Sequence, residues 1–184
     1  MKKIIGNLFL ASAMMTSVYA YEASEVNVGF IGYKMQTKVG VPGVFDQAKL
    51  DIKSDVDFTK FLTSANVTID ISTLNTKMKM RDNNITSTLF KVANIKEIKA
   101  KVVKVTGDEM KGTVDVEIDM NNTKKVIPMT YVSKDGVLTA EGAIDVIDFT
   151  MTESLAAFAK KCKPFHAGKT WSEVSVSFTL PFKK

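Results

Sequence analysis

One histidine and one cysteine, His166 and Cys162, stand four residues apart in the segment CKPFH. On an unbroken helix that spacing would bring thiol and imidazole to one face as a nucleophile–base pair. Pro164 lies between them, and proline ends a helix, so the two need not face each other. Cys162 also falls on an apolar stripe, where a thiol behaves as a small inert hydrophobe. A single His and a single Cys cannot build a zinc site of the usual Cys/His kind, and no disulfide can close within the chain. Asp115, Glu117 and Asp119 share one face of an alternating run, each about 6.8 Å from the next. That spacing is too long for shared ligation of one ion, so a solvated outer face is expected. Arg81 is the only arginine, followed directly by Asp82. The two either pair and hold a loop, or Arg81 serves as a planar, bidentate donor to a polar or phosphate headgroup. No Ser/His/Asp arrangement of credible spacing is present. The chemistry of the side chains argues for binding rather than catalysis, with no metal and no organic cofactor expected.

The elements that must position these residues are strands. Alternation of apolar and polar residues dominates, the period of a half-buried β-strand. Met110, Val114, Val116, Ile118 and Met120 oppose Glu109, Lys111, Asp115, Glu117 and Asp119. Eight such runs are expected, at 25–34, 44–53, 65–72, 95–106, 109–120, 123–134, 136–148 and 171–182. Thr106-Gly107-Asp108, Asn121-Asn122-Thr123 and Lys134-Asp135-Gly136 link four of them by short turns, which predicts an antiparallel meander. Short helices are expected after Asp57, after Arg81-Asp82, and from Thr150, where Thr150 and Glu153 fit a capping box ahead of Leu155, Phe158, Ala159 and Cys162. The fold class expected is all-β: an eight-stranded antiparallel lipocalin-like barrel with one to three short helices. A barrel of eight strands has room for self-packing or for one small ligand. Its inward set, Val28, Phe30, Ile69, Ile71, Val116, Ile118, Ile144, Val146, Val176 and Phe178, is apolar and could bury a lipid chain at roughly 0.8 kcal/mol per methylene. Six methionines (Met35, Met78, Met80, Met110, Met120, Met129) suit either an adaptable pocket or ordinary filling.

The chain has 184 residues and a net charge of +5. Lys2 and Lys3 precede an uncharged stretch ending in Val18-Tyr19-Ala20, the layout of a cleaved secretory signal over residues 1–20. The apolar part is too short to span a bilayer. One mature domain, 21–184, follows, and losing two lysines lowers its charge to +3. Basic clusters with interleaved aromatics are lacking, so no nucleic-acid partner is expected. An outer-membrane barrel is disfavoured by the Pro181-Phe182-Lys183-Lys184 terminus.

The segment ISTLNTKMKMRDNNITSTLF, Ile71 to Phe90, resembles the signature of the YceI-like family of exported bacterial proteins. Arg81 and Asp82 match its Arg-Asp, Ser87 its helix serine, and Leu89-Phe90 the place of an aromatic pair. The Val26–Phe45 stretch, with VNVGFIGYK and VGVPGVF, resembles the family's first hairpin. The Gly112 strand, NNTKKVIPMTY and the segment from His166 are similar in character, so the likeness covers nearly all of residues 21–184. One position departs: Asn84 stands where the family commonly has histidine. The resemblance implies a lipocalin-like barrel holding an isoprenoid or fatty-acyl chain, in a periplasmic carrier, with Arg81, Asp82 and Asn84 at the headgroup or mouth. The partners then expected are a long-chain lipid, a membrane touched transiently during loading and, through an unpaired Cys162, a second copy. An envelope stress or interaction protein using the barrel as a scaffold is the alternative.

Overall fold

The computed structural model describes residues 19–184. The expected signal segment lies outside them except for its last two residues. Ten strands form one strongly curled antiparallel sheet: β1 Asn27–Lys34, β2 Val39–Phe45, β3 Ala48–Asp51, β4 Asn66–Asp70, β5 Leu74–Asn75, β6 Glu97–Gly107, β7 Lys111–Met120, β8 Thr123–Lys134, β9 Val137–Asp145 and β10 Thr170–Pro181. Their order is β3-β4-β6-β7-β8-β9-β10-β1-β2-β5. The eight-stranded barrel is thus corrected to ten strands in a curled sheet. Most of β2, at Val39–Gly43, and all of β5 lie outside the expected runs, and two of those runs are broken. The expected 44–53 run is interrupted at Asp46-Gln47, separating β2 from β3. The 65–72 run leaves strand geometry at Ile71–Thr73, where the Asp70 carboxylate accepts the Ser72 N–H at 2.8 Å and starts a short 3₁₀ turn. The two breaks face each other, and the Asp46 N–H donates to the Thr73 carbonyl at 3.0 Å.

The β6-to-β9 meander forms as the turn residues predict. Asn121-Asn122 and Asp135-Gly136 both take positive φ at two consecutive positions, as two-residue hairpin turns of the right twist require. Lysines of the neighbouring strands flank the acidic face of β7, in the pairs Lys104–Asp115, Lys101–Glu117 and Lys99–Asp119. This is the solvated face expected. Met110 departs from the pattern: it sits in the turn before β7 and is exposed.

Three α-helices complete the domain: α1 Phe58–Thr63, α2 Lys79–Asn84 and α3 Thr152–Cys162. Asp57 caps α1, its carboxylate accepting the Lys60 N–H at 3.0 Å. The capping box expected at Thr150 does not form. Thr150 takes a left-handed backbone (φ 57°), α3 begins two residues later, and the Thr150 hydroxyl instead donates to the Phe149 carbonyl. α2 runs on into a π-helical stretch, Ile85–Phe90, that packs against α3.

The space inside the curl is filled unevenly. At one end Tyr21, Phe58, Phe61, Tyr131 and Phe182 pack ring on ring, with centroids 5.3 to 6.5 Å apart. Val114, Val116, Met129, Leu138 and Leu180 join them in the buried core. Toward the other end, under α2 and α3, the same strands border a cavity.

Candidate functional site

The cavity measures about 360 Å³, within the range of small-molecule sites. Its wall is the continuation of the inward strand faces. Along β7 the alternation passes from Val114 and Val116 in the filled end to Ile118 and Met120 on the cavity wall. Along β10 it passes from Leu180 to Phe178, Val176 and Val174, and along β6 to Ala100 and Ile98. One alternating pattern therefore builds both a solid core and an open bore.

Of the residues expected inside, Val28, Phe30, Ile69, Ile118, Ile144, Val146, Val176 and Phe178 line the cavity. Val116 does not: it is buried in the filled end. Ile71 does not either: the 3₁₀ turn takes it out of strand register, and it stays buried in the core beside a shallow groove lined by Thr68, Asp70 and Lys96. Helical residues absent from the sequence expectation complete the wall: Ile85, Leu89 and Phe90 from the π-helical stretch, and Met151, Leu155, Phe158 and Cys162 around α3. The apolar stripe of α3 was visible in the sequence, but nothing in that stripe told which surface it would face. Met78, Met80 and Met120 also lie on the wall, whereas Met129 packs in the filled end.

Gly43 makes room for one wall residue. It pairs with Phe30 across β1 and β2, and a Cβ at position 43 would collide with the Phe30 ring. Only glycine lets that ring lie across the strand, tilted against Phe45 at 5.5 Å.

The mouth is where the polar groups gather. Met78, Met80 and Phe165 form an exposed apolar lip, Met80 being 55% and Phe165 49% exposed. Arg81 and Asp82 do not pair. The Asp82 carboxylate accepts both the Thr76 N–H at 2.8 Å and the Thr76 hydroxyl at 2.6 Å, tying α2 to the strand end before it. Asp82 is not on the cavity wall, while Arg81 and Asn84 are. Among the described residues Arg81 makes no ion pair; its guanidinium approaches only the Met78 sulfur, at 3.7 Å. Lys34, at the end of β1, also reaches the wall, and no carboxylate among the described residues does.

His166 completes this mouth. The chain leaves α3 through a 3₁₀ turn at Lys163–Phe165, as Pro164 requires, and the imidazole turns to the Thr170 hydroxyl at 2.7 Å. It stands edge-on to Phe158, with centroids 5.6 Å apart. Burial first, then the charges of Lys34 and Arg81, hold its pKa below the ordinary imidazole value. No hydrogen bond joins it to Cys162 among the described residues. The Cys162 thiol is buried and its pKa is pushed up by that burial, so it is neither activated as a nucleophile nor presented to a second copy. Trp171, the only tryptophan, also lies on the wall. Its indole N–H donates to the Met35 carbonyl at 2.8 Å, with the ammonium groups of Lys169 and Lys38 at 4.6 and 5.3 Å from the ring.

Chemically, this arrangement can bury an apolar chain and meet its polar end with cations. No group of three or more His, Cys, Asp or Glu side chains positioned to hold a metal occurs among the described residues. No helix among them is long and apolar enough to cross a membrane.

Comparison with known proteins gives a consistent fold. The model of the YceI-like domain matches residues 19–182. A polyisoprenoid-binding domain from Saccharophagus degradans superposes with a TM-score of 0.61 at 16% identity, over 90% of this chain and 97% of that one. BcnA of Burkholderia cenocepacia gives 0.60 at 16% identity, over 86% and 96%. The YCEI protein of Campylobacter jejuni gives 0.57 at 19% identity, over 79% and 86%. At these identities the likeness shows the fold alone. No match is found among curated protein sequences.

Proposed function

The chain belongs to the YceI-like family, and from that premise we propose that it is an exported carrier that holds one isoprenoid or fatty-acyl chain in its bore. The observation that carries this reading is the cavity: about 360 Å³ of space walled by the apolar faces of the strands and by α2, the π-helical stretch and α3. Each methylene buried there contributes roughly 0.8 kcal/mol, so a ten-carbon chain gains about 8 kcal/mol before ordering costs. The description of the Saccharophagus degradans relative as a polyisoprenoid-binding domain supports the same ligand class. The sequence of residues 1–20 supports export, with the periplasm as its destination.

Loading proceeds from a membrane surface touched by the lip. Met78, Met80 and Phe165 are exposed together at the cavity entrance, with Lys77, Lys79 and Lys163 adjoining them in the chain. Such a lip enters the headgroup region shallowly and reversibly rather than spanning the bilayer. The test is extraction: incubate delipidated protein with vesicles carrying a trace polyprenol or fatty amide, separate the two, and identify bound lipid by mass spectrometry. The protein should take up about one chain per molecule, and a Met78→Ser, Met80→Ser, Phe165→Ser variant should load several-fold more slowly. Protein that stays empty in every lipid, and that is also empty when isolated from its native envelope, would falsify the carrier reading.

A further inference from the structure

Charge is spread unevenly over the molecule. Lys77 and Lys79 flank the exposed Met78 at the start of α2, and Lys160 and Lys161 occupy the last turn of α3. Lys163 follows in the 3₁₀ turn that presents Phe165, and the Lys169 ammonium lies over the Trp171 ring on the cavity wall. The fold brings these separate stretches of chain to the open end of the bore. Residues 21–184 contain 23 cationic side chains, so 17 remain for the rest of that span, against 20 carboxylates. The mouth is positive, and everything behind it is net negative.

Contacts among the described residues do not account for this gathering. None of the six lysines makes an ion pair there, whereas Lys38 meets Glu173, Lys99 meets Glu97 and Lys124 meets Glu117. Two carboxylates of the same region are already engaged, Asp82 with Thr76 and Glu173 with Lys38. Lys160 and Lys161 suit the negative C-terminal end of α3. Lys77 and Lys79 stand at the N-terminal end of α2, where the helix dipole disfavours cations. The apolar side chains among them, Met78, Met80 and Phe165, are exposed together. By contrast the exposed Val126 stands on a strand face opposite Glu117. Unpaired cations and exposed apolar area are both relieved by one kind of partner, a surface that is negatively charged outside and apolar within.

We propose that this end of the molecule is a docking surface for anionic lipid bilayers: Met78, Met80 and Phe165 enter the headgroup layer while the surrounding lysines engage its negative charge. The proposal rests on the reading of the lip as the loading edge, and adds the partner's charge and the docking orientation. A positive mouth ahead of a net negative body makes the molecule a dipole, which turns the mouth toward the bilayer before contact. The bore then opens onto the leaflet from which its chain is drawn.

Sedimentation with vesicles of phosphatidylcholine alone, and with vesicles that also contain phosphatidylglycerol, tests the surface. The protein should sediment with the anionic vesicles and stay in solution with the neutral ones, and added salt should release it. Each lysine near an anionic surface changes partitioning about fivefold, so Lys77→Gln, Lys79→Gln, Lys163→Gln together should weaken binding roughly 100-fold. These three side chains are exposed, and an unchanged Tm shows that the variant folds. Lys49→Gln, Lys101→Gln, Lys104→Gln removes the same charge from β3 and β6 and should weaken binding far less. Equal binding to both kinds of vesicle, or equal loss in the two variants, overturns the oriented docking and leaves the carrier reading standing. Undiminished binding of a Met78→Ser, Met80→Ser, Phe165→Ser variant overturns it too, and leaves a purely ionic contact of the kind an acidic protein makes. Docking on anionic vesicles without uptake of any chain supports the surface and removes the carrier reading.

Discussion

Replacing Ala100 by phenylalanine separates an open bore from a packed core, because the two cases answer in opposite ways. Ala100 sits on β6 between Val67 of β4 and Ile118 of β7, its methyl group buried on the cavity wall. In a close-packed interior, adding a ring forces neighbours off their rotamers and costs typically 1–3 kcal/mol. For a domain of this size, each kcal/mol lowers Tm by roughly 2–4 °C. Beside a cavity of about 360 Å³ the ring has somewhere to go. A benzene-sized group is accommodated by a cavity of about 150 Å³, less than half of that space. The variant should therefore keep its Tm within a few degrees, measured by calorimetry on delipidated protein. Binding should suffer instead. A ring that excludes four methylenes of a bound chain removes about 3 kcal/mol at 0.8 kcal/mol each, roughly a 200-fold rise in Kd. Titration of a polyprenol followed by Trp171 fluorescence reads that change. A Tm that falls by about 6 °C or more, with an unchanged Kd, would refute the reasoning. It would mean that position 100 is in the packed core and that the chain lies elsewhere.

Two further outcomes follow from single side chains. Asp82→Ala leaves the buried Thr76 N–H and hydroxyl without their acceptor, which should cost about 1–3 kcal/mol in urea denaturation. Hydrogen exchange should quicken first in Lys79–Phe90, and unaltered exchange there would show that this carboxylate does not anchor the helix. His166, the only histidine, gives one imidazole signal by proton NMR. Its pKa in the folded protein lies below the free value near 6.5. The unfolded chain therefore takes up the proton first as pH falls, and stability contributed by the neutral ring declines below about pH 6.5. Above that value both states are neutral and the effect vanishes. His166→Gln should flatten this part of the stability–pH curve, whereas an identical curve in the variant would assign the slope to other groups.

Much of the wall was legible along the chain because strand alternation is local. In a period of two, a residue's neighbours settle which face it takes, and eight of the ten residues expected inside do line the cavity. The two exceptions have physical causes at longer range or in local capping. Val116 alternates correctly, but the aromatic cluster around Phe61 and Tyr131 fills its end of the curl. Ile71 is displaced by the Asp70 cap, which competes with the ladder for the backbone. The same cap ends the expected 65–72 run, and the two added strands, most of β2 and all of β5, lie outside the eight expected runs.

The mouth was less legible. Arg81 stood out as the lone arginine and Asp82 as its neighbour, and adjacency suggested an ion pair. Successive residues on a helix point in different directions, and Asp82 turns to Thr76 while Arg81 turns to the cavity. Lys34 carried no signal, and His166 drew notice only as a partner for Cys162; the two are 132 positions apart and come near each other only when β1 pairs with β10.

The sequence by itself determined an antiparallel meander with one apolar face, its hairpin turns, and the approximate places of three short helices. Those properties depend on spacing within a few residues. Whether the apolar face would close on itself or leave room was decided only by the tertiary structure. Cavity volume depends on how far the sheet curls and which end the aromatic rings occupy, and both are set by contacts between residues distant in the chain. The gathering of Lys34, Arg81, Asn84 and His166 at one mouth was decided the same way. No local pattern encodes it, because the four arrive on three different elements and only the fold makes those elements neighbours.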